Sequence, residues 1–300
     1  VFDFRRISKL FFRDQFKRDT FKNVYRSLFD RRKFKPTLYS VFHGFKKMQR
    51  EVLEISDAVL VQTVREAEDL KRTFDVTFKW EKVLNGVGEA FIKPKPFKNP
   101  FEFEDYIMCV GRIEPRKNQL NVIKGVKKFR EETGLDAKLV LIGKASPMKH
   151  FEYNFLINKL LRKHKWITRL DNSINYSDLP SYYHFAKVCV SASWFETTGL
   201  TSLEALYCGA NTVAAGPRAK EYLGSFASFC VPDNVESITE AVKKEYFEPR
   251  PVLDEKIRKE YTWQNAAEKT LSVYEDVLSS MKPEVGETIN KKPKSSKKKK

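Results

Sequence analysis

Between residues 106 and 230, short apolar runs alternate with longer amphipathic stretches. YIMCVG, KLVLIG, ITRL, KVCVSAS, NTVAAG and FASFCV read as buried strands. Among them, QLNVIKGVKKFREET, YNFLINKLLRKH, SDLPSYYHF and LTSLEALYCG carry apolar residues at helical spacing, and the first stops near Gly134. Strands alternating with helices predict right-handed β-α-β units, hence an α/β fold with a doubly wound parallel sheet covered on both faces. Ligands of such sheets bind beyond the carboxyl ends of the strands. The loops GRIEPRKN and WFETTG fall at such ends.

Outside this span the rhythm is less regular. TLYSVF (37–42) reads as a short strand ending at His43-Gly44, FKKMQREVLEIS as a helix, and DAVLVQT (57–63) as a buried strand. REAEDLKRTF reads as a polar helix, and WEKVLNGVGEAF as a strand ending at the turn pair Asn85-Gly86. The stiff segment KPKPFKNP suits a connector. TWQNAAEKTLSVYEDVLSSM predicts a last amphipathic helix, whereas KPEVGETINKKPKSSKKKK has almost no apolar residues and is expected to be disordered.

Composition changes the picture mainly through charge. The net charge is +17, but residues 1–50 hold 15 Lys/Arg against 4 Asp/Glu and residues 282–300 hold 8 against 2, which leaves 33 of each sign between them. The central body is neutral and the ends are basic. The leader FRRISKLFFRDQFKRDTFKNVYRSLFDRRKF interleaves basic with aromatic and aliphatic residues, which if helical is the pattern of a segment lying in a membrane interface; as plain structure, its aromatics pack into the partial acceptor domain. No stretch is long and apolar enough to span a bilayer, and the start is too charged for a signal peptide. Cys109, Cys189, Cys208 and Cys230 make no C-x-x-C pair, and three sit in strand-like runs. They read as small buried residues, not as zinc ligands or a disulfide framework. The histidines show no metal-ligand spacing. A reducing, cytoplasmic setting fits, peripheral to the cytosolic face of a membrane if the basic ends bind anionic lipid.

Two constellations carry chemistry. Glu196-Thr-Thr-Gly199-Leu-Thr-Ser-Leu-Glu204 follows a strand, with Gly199 at the opening of a helix, where free N–H groups and the helix dipole attract phosphate. Glu196 can accept from sugar hydroxyls. Glu204, about two helical turns on, can face the same cleft and hold paired ribose hydroxyls. As plain structure, both glutamates are solvated helix-end charges. Gly111-Arg112-Ile-Glu-Pro-Arg-Lys117-Asn118 follows another strand, and the fork of Arg112 with the point charge of Lys117 suits a diphosphate. As plain structure it is an exposed basic loop.

VGRIEPRKN, SWFETTGLTSLEAL and GANTVAAG together resemble the donor domain of family 4 retaining glycosyltransferases, whose glutamate-x7-glutamate signature stands here as Glu196 and Glu204. ISDAVLVQT, KVLNGVGEAFIKP and TWQNAAEKTLSVYEDVL are similar to that family's domain crossover and closing helix, so the resemblance covers about residues 37–280. It implies a two-Rossmann-domain transferase that uses a nucleotide-sugar donor (UDP or GDP type) and a saccharide or lipid-linked acceptor, and retains anomeric configuration with no cofactor and no required metal. It further implies that Arg112 and Lys117, beside Gly111, hold the diphosphate. Glu196 contacts the transferred sugar and Glu204 the ribose. The amides around Thr198, Gly199 and Leu200 meet sugar and phosphate oxygens. Ile174 falls where the base is contacted, and His43 resembles an acceptor-side histidine near the reacting centre. Thr197 and Thr198 stand where the family often has glycine and an aromatic.

The domains expected are a partial acceptor side with basic leader (1–84), a donor-binding Rossmann-like domain (85–260), a C-terminal helix returning toward the first domain (261–281), and the lysine tail (282–300). Only about 55 residues precede SDAVLVQT, so the acceptor half reads as incomplete, by reduction or by truncation. The alternative function is a catalytically degenerate nucleotide-binding or interaction protein whose basic ends bind anionic membrane or nucleic acid. On the transferase reading, no specific nucleic acid is bound.

Overall fold

The computed structural model describes residues 34–146, 150–171 and 174–281, together with residues 17, 21, 23–25, 27, 28, 30 and 32. The lysine tail and most of the leader, on which the expectations of disorder and of an interfacial helix fall, lie outside the described residues.

Helices α1 (Phe34–His43) and α2 (Phe45–Ile55) are separated by Gly44 at φ 80, a left-handed conformation that glycine adopts without a Cβ penalty. The strand expected at TLYSVF is therefore a helix. Its β-branched and aromatic residues suit a strand, but Phe34, Leu38, Val41 and Phe42 share one helical stripe, and Pro36 sits in the first turn, where its missing N–H costs nothing. His43 ends a helix, not a strand.

Strands β1 (Val59–Val61) and β2 (Trp80–Lys82) form a two-stranded parallel sheet across α3 (Val64–Phe74). Thr63 caps α3 by accepting from the Glu66 N–H, and Glu66 Oε2 accepts in return from the Gln62 N–H at 2.9 Å. The chain then passes Gly86, where a Cβ would lie 2.1 Å from the Trp263 nitrogen, and enters the short α4 (Glu89–Ile92).

The larger sheet has six strands: β3 (Tyr106–Val110), β4 (Leu139–Ile142), β5 (Ile167–Leu170), β6 (Ala186–Ser191), β7 (Asn211–Ala215) and β8 (Ser228–Cys230). Their spatial order is β5-β4-β3-β6-β7-β8, all parallel. The order runs outward in opposite directions from β3 and β6, so the crevice of a doubly wound sheet opens between those two strands. Helices α5 (Gln119–Thr133), α6 (Phe151–Lys163), α7 (Leu179–Phe185), α8 (Leu200–Tyr207), α9 (Pro217–Leu223), α10 (Val235–Phe247), α11 (Glu255–Glu260) and α12 (Trp263–Met281) complete the chain.

Alternation along β3 feeds two cores. Tyr106 and Met108 point into one with Tyr183, Leu203 and Leu206; Ile107 and Cys109 point into the other with Val122, Val126 and Phe129. Each fully buried Leu, Ile or Val contributes about 1.5–3 kcal/mol. All four cysteines are free and buried as expected, and burial pushes the Cys109, Cys208 and Cys230 thiols up to about 12.

Helices α9, α10 and α11 have no counterpart in the sequence reading. The signal for α10 stood in VESITEAVKKEYF: Asn234 accepts from the Ser237 N–H, and Ile238, Ala241 and Val242 make its buried stripe. It packs so closely on α5 that a Cβ at Gly125 would meet Ile238 Cγ2 at 2.7 Å.

At the carboxyl ends of the strands, Gly143 has φ +148, and a Cβ there would lie 2.1 Å from the Gly111 carbonyl oxygen. The space belongs to the loop that leaves β3. Gly143→Ala is expected to lower stability by about 2 kcal/mol or more, because both the backbone conformation and a backbone atom oppose the methyl group. Urea unfolding checks this; an unchanged midpoint would show that the two loops part freely.

Candidate functional site

The loop after β3 begins at Gly111, whose φ of +144 and missing Cβ let the stem of Lys117 lie over it; a Cβ would meet Lys117 Cε at 3.2 Å. A 3-10 turn, Pro115–Lys117, follows, and Asn118 at φ 61 turns the chain into α5. Asn118 Nδ2 donates to the carbonyls of Ala192 (2.9 Å) and Pro232 (2.7 Å), tying the loop to those that follow β6 and β8.

The loop after β6 meets it directly. Lys117 Nζ lies 2.5 Å from Glu196 Oε1, and both side chains are 15% exposed. Arg116 donates to Glu196 Oε2 at 3.4 Å and to the Phe195 carbonyl at 2.9 Å, while the Trp194 N–H donates to the Arg116 carbonyl at 2.9 Å. Glu114, largely buried, accepts from Arg112 at 3.3 Å and Arg116 at 3.2 Å, with His150 Nε2 at 3.9 Å. Arg112 keeps 65% of its side chain exposed. Three cations and two carboxylates are thus gathered where the sheet reverses its winding. Such a cluster binds anions and hydroxyls together.

Glu204 sits deeper, 8% exposed on α8, and accepts from the Tyr183 hydroxyl at 2.9 Å. Burial raises its pKa above the ordinary carboxylate range, against the opposing effect of the Tyr183 hydrogen bond. Tyr176 lies close enough for Glu204 to add to the upward push that burial gives its phenol. Ile174 packs against the same core as Tyr183 and Leu203.

The structure gives Gly199 a different reason from the one read in the sequence. Its φ is −79, and its N–H donates to the Tyr222 hydroxyl at 2.6 Å; a Cβ would lie 2.4 Å from that oxygen. A side chain there would push the Tyr222 hydroxyl off this amide, and a ligand oxygen that binds the amide has to displace the same phenol. The Leu200 N–H is turned to the Thr198 carbonyl at 3.0 Å. Ser193 Oγ and Thr198 Oγ1, in the same loop, are buried with no hydrogen-bond partner among the described residues. Unmet polar atoms cost about 1–3 kcal/mol each.

The network joins Arg112, Lys117 and Glu196, with Gly111 beneath Lys117. Ile174, Thr198, Gly199, Leu200 and Glu204 stand around it. His43 takes no part in it: its ring stacks on Tyr39 at 3.9 Å, one turn back on α1. Sequence reasoning passed over Arg116, Glu114, Tyr183 and Tyr222. Arg116 adjoins Lys117 in the loop already singled out, whereas the two tyrosines lie 13 residues before and 26 residues after Glu196 and carry no local signal. Among the described residues, Glu132, Glu236 and Glu240 could share a cation, but they are exposed and Glu132 ends α5, roughly 20 Å from its site-facing start.

On α9, next to Tyr222, Glu221 accepts from the N–H groups of Val64 (2.8 Å) and Arg65 (3.3 Å) and from Lys82 Nζ (2.8 Å), completing the cap of α3. Arg218 reaches Asp69 at 2.7 Å and holds its carboxyl below the usual range; its guanidinium also lies 4.7 Å over the Phe195 ring.

The raised pKa of Glu204 predicts a pH-dependent stability. The folded state holds this proton more tightly than the unfolded state, so ionising the group destabilises the fold once the pH rises above the unfolded value near 4.5. Glu204→Gln, which keeps an acceptor for Tyr183, is expected to raise the melting temperature of the ligand-free protein at neutral pH, with a gain that shrinks as the pH falls toward 4.5. A gain that is independent of pH between 4 and 8, measured by thermal denaturation, would exclude burial of the charge as its cause.

The family model described as glycosyl transferases group 1 matches residues 92–262, more than half of the chain. The O-antigen chain mannosyltransferase B of Escherichia coli is 25% identical over 188 residues, covering 59% of this chain and 47% of that protein. The chain spans about half the length of the curated relatives it matches. Among solved structures, sucrose-phosphate synthase from Thermosynechococcus elongatus aligns with a TM-score of 0.64 at 20% identity, covering 78% of this chain and 62% of that one. A pneumococcal O-GlcNAc transferase in complex with UDP and GlcNAc aligns with a TM-score of 0.55 at 17% identity, covering 78% and 48%. At such identities the likeness is one of fold. The matched span begins just before β3 and takes in the whole six-stranded sheet with both loops of the charged cluster, and on that match the chain belongs to the glycosyl transferases group 1 family.

Proposed function

We propose that this chain binds a nucleotide-sugar donor of the UDP or GDP type at the β3–β6 crevice. It transfers the sugar, a hexose, to a saccharide or lipid-linked acceptor with retention of configuration, in the manner of family 4. The observation that carries this reading is the pairing of Glu196 with Lys117 and Arg116 at the point where the sheet reverses. A diphosphate leaving the sugar gains negative charge in the transition state, and cations already fixed at that place stabilise it without reorganising. Arg112, the most exposed of the three, supplies a planar fork for a second phosphate oxygen. A carboxylate offers about four lone-pair positions, so Glu196 retains acceptor capacity for sugar hydroxyls while bound to both cations. Glu204, below it, accepts from the ribose, and Ile174 lines the place of the base. The buried hydroxyls of Ser193 and Thr198 are further groups that a ligand can satisfy.

No metal is part of the proposal: Arg112, Arg116 and Lys117, offset in part by Glu114 and Glu196, are the cations that would meet the diphosphate. Turnover is expected to be unchanged in EDTA. The competing reading, a degenerate body with basic arms, is separated by thermal shift. Nucleoside diphosphate stabilises the donor site selectively, whereas basic arms respond to any polyanion and lose the effect in salt.

Calorimetry tests the division of roles. Glu204→Ala is expected to weaken nucleoside-diphosphate binding by about 1–3 kcal/mol. Glu196→Ala should spare the bare nucleotide and weaken the nucleotide sugar. Equal losses for both ligands in both variants would refute the assignment. In the transfer reaction, replacing Arg112 or Lys117 by Ala should lower kcat by more than it raises KM, and the two effects should not add. Unchanged turnover in the double variant would remove both from the mechanism.

A further inference from the structure

We infer that the α1–α2 hairpin is a docking surface for an anionic phospholipid bilayer. The inference is independent of the proposed donor chemistry. Phe34, Leu38, Val41 and Phe42, spaced i, i+4, i+7, i+8, form a continuous apolar stripe along α1, and it faces outward: Phe42 is 79% exposed. On α2, Val52 and Ile55 are likewise exposed, Ile55 at 79%. Single exposed apolar residues are ordinary, but a stripe of four along one helix with two more on its neighbour is a surface that binds something.

Charge identifies the occupant. The two helices carry Lys35, Lys46, Lys47 and Arg50 against Glu51 and Glu54, with Lys47 paired to Glu51 at 3.9 Å and Arg50 to Glu54 at 2.7 Å, so the hairpin keeps a net positive charge. A second copy of this chain would bring the same positive charge to the interface and be repelled. A nucleic acid would meet the cations but leave the aliphatic stripe in water. An anionic bilayer satisfies both, taking the apolar side chains into the headgroup boundary while its phosphates face the lysines. The other basic end of the chain emerges beside the base of the hairpin. Ser56, Asp57 and Ala58, directly after α2, line one groove of about 530 Å³ with Val277, Leu278 and Met281, and the lysine-rich residues 282–300 follow Met281. Among the described residues no helix is long and apolar enough to cross a membrane, so the contact is with a surface.

The test is co-sedimentation of the whole chain with vesicles of phosphatidylcholine alone or mixed with phosphatidylglycerol, at low and high salt. At low salt, binding is expected to be much stronger to the anionic vesicles, and at high salt the remaining binding is expected to be similar for both compositions. Leu38→Ser with Phe42→Ser should cut the bound fraction about tenfold at either salt, because apolar burial is not screened. Lys46→Glu with Lys47→Glu should cut it about tenfold at low salt and little at high salt. These side chains are exposed, so circular dichroism should be unchanged, and Leu38→Trp with Phe42→Trp should restore binding. The inference is overturned by sedimentation that is insensitive to the serine pair, or by equal binding to neutral vesicles at low salt. It is equally overturned if the serine pair abolishes self-association while vesicles bind neither form, or if a single-stranded RNA homopolymer displaces the vesicles and binds both forms alike.

Discussion

The contact between Lys117 and Glu196 joins two loops that leave neighbouring strands of one sheet and have no sequence proximity. At 2.5 Å and with both side chains mostly shielded, it binds the turn after β3 to the turn after β6. The Trp194 N–H and Arg116 carbonyl reinforce it along the backbone. A partly buried ion pair repays its desolvation only where geometry is good and further hydrogen bonds satisfy the remaining atoms. Here Arg116 supplies a second cation to Glu196, and Glu114 balances the guanidinium groups from beneath. The arrangement rests in turn on two glycines. Gly111 makes room for the lysine stem, and Gly143 makes room for Gly111.

Below that surface network, the chain keeps polar groups at some cost to its own stability. Glu204 is a carboxylate held among Tyr183 and apolar neighbours, where its charge is disfavoured. Ser193 and Thr198 hold buried hydroxyls that no group among the described residues answers. Cores exclude such groups unless partners are found. Ser193 and Thr198 share the loop of Glu196, and Glu204 lies on the helix that this loop enters.

Most of the six strands were legible because a parallel sheet covered on both faces produces short apolar runs between turn signals, whereas β5 (ITRL) carries Thr168 and Arg169 and is only partly buried. The order β5-β4-β3-β6-β7-β8 was not legible, since sequence spacing is silent on which neighbours a strand takes; yet it decides that the loops bearing Arg112 and Glu196 converge. At TLYSVF the residue types favoured a strand and the spacing a helix, and the segment is the helix α1, whose apolar stripe lies exposed. Gly199 shows a limit of motif reading. Its place at the head of α8 was legible, but the oxygen that its amide meets, the hydroxyl of Tyr222, is brought there by a helix that gave no sign in the sequence.

Helix α9 has only seven residues, and two adjacent ones serve opposite ends of a mechanical linkage. Glu221 holds the first turn of α3, while Tyr222 holds the first amide of α8. Through Arg218 and Asp69 the same helix also holds the middle of α3. This one short helix is thus the shared support of the amide at the head of α8 and of the β1–α3–β2 layer.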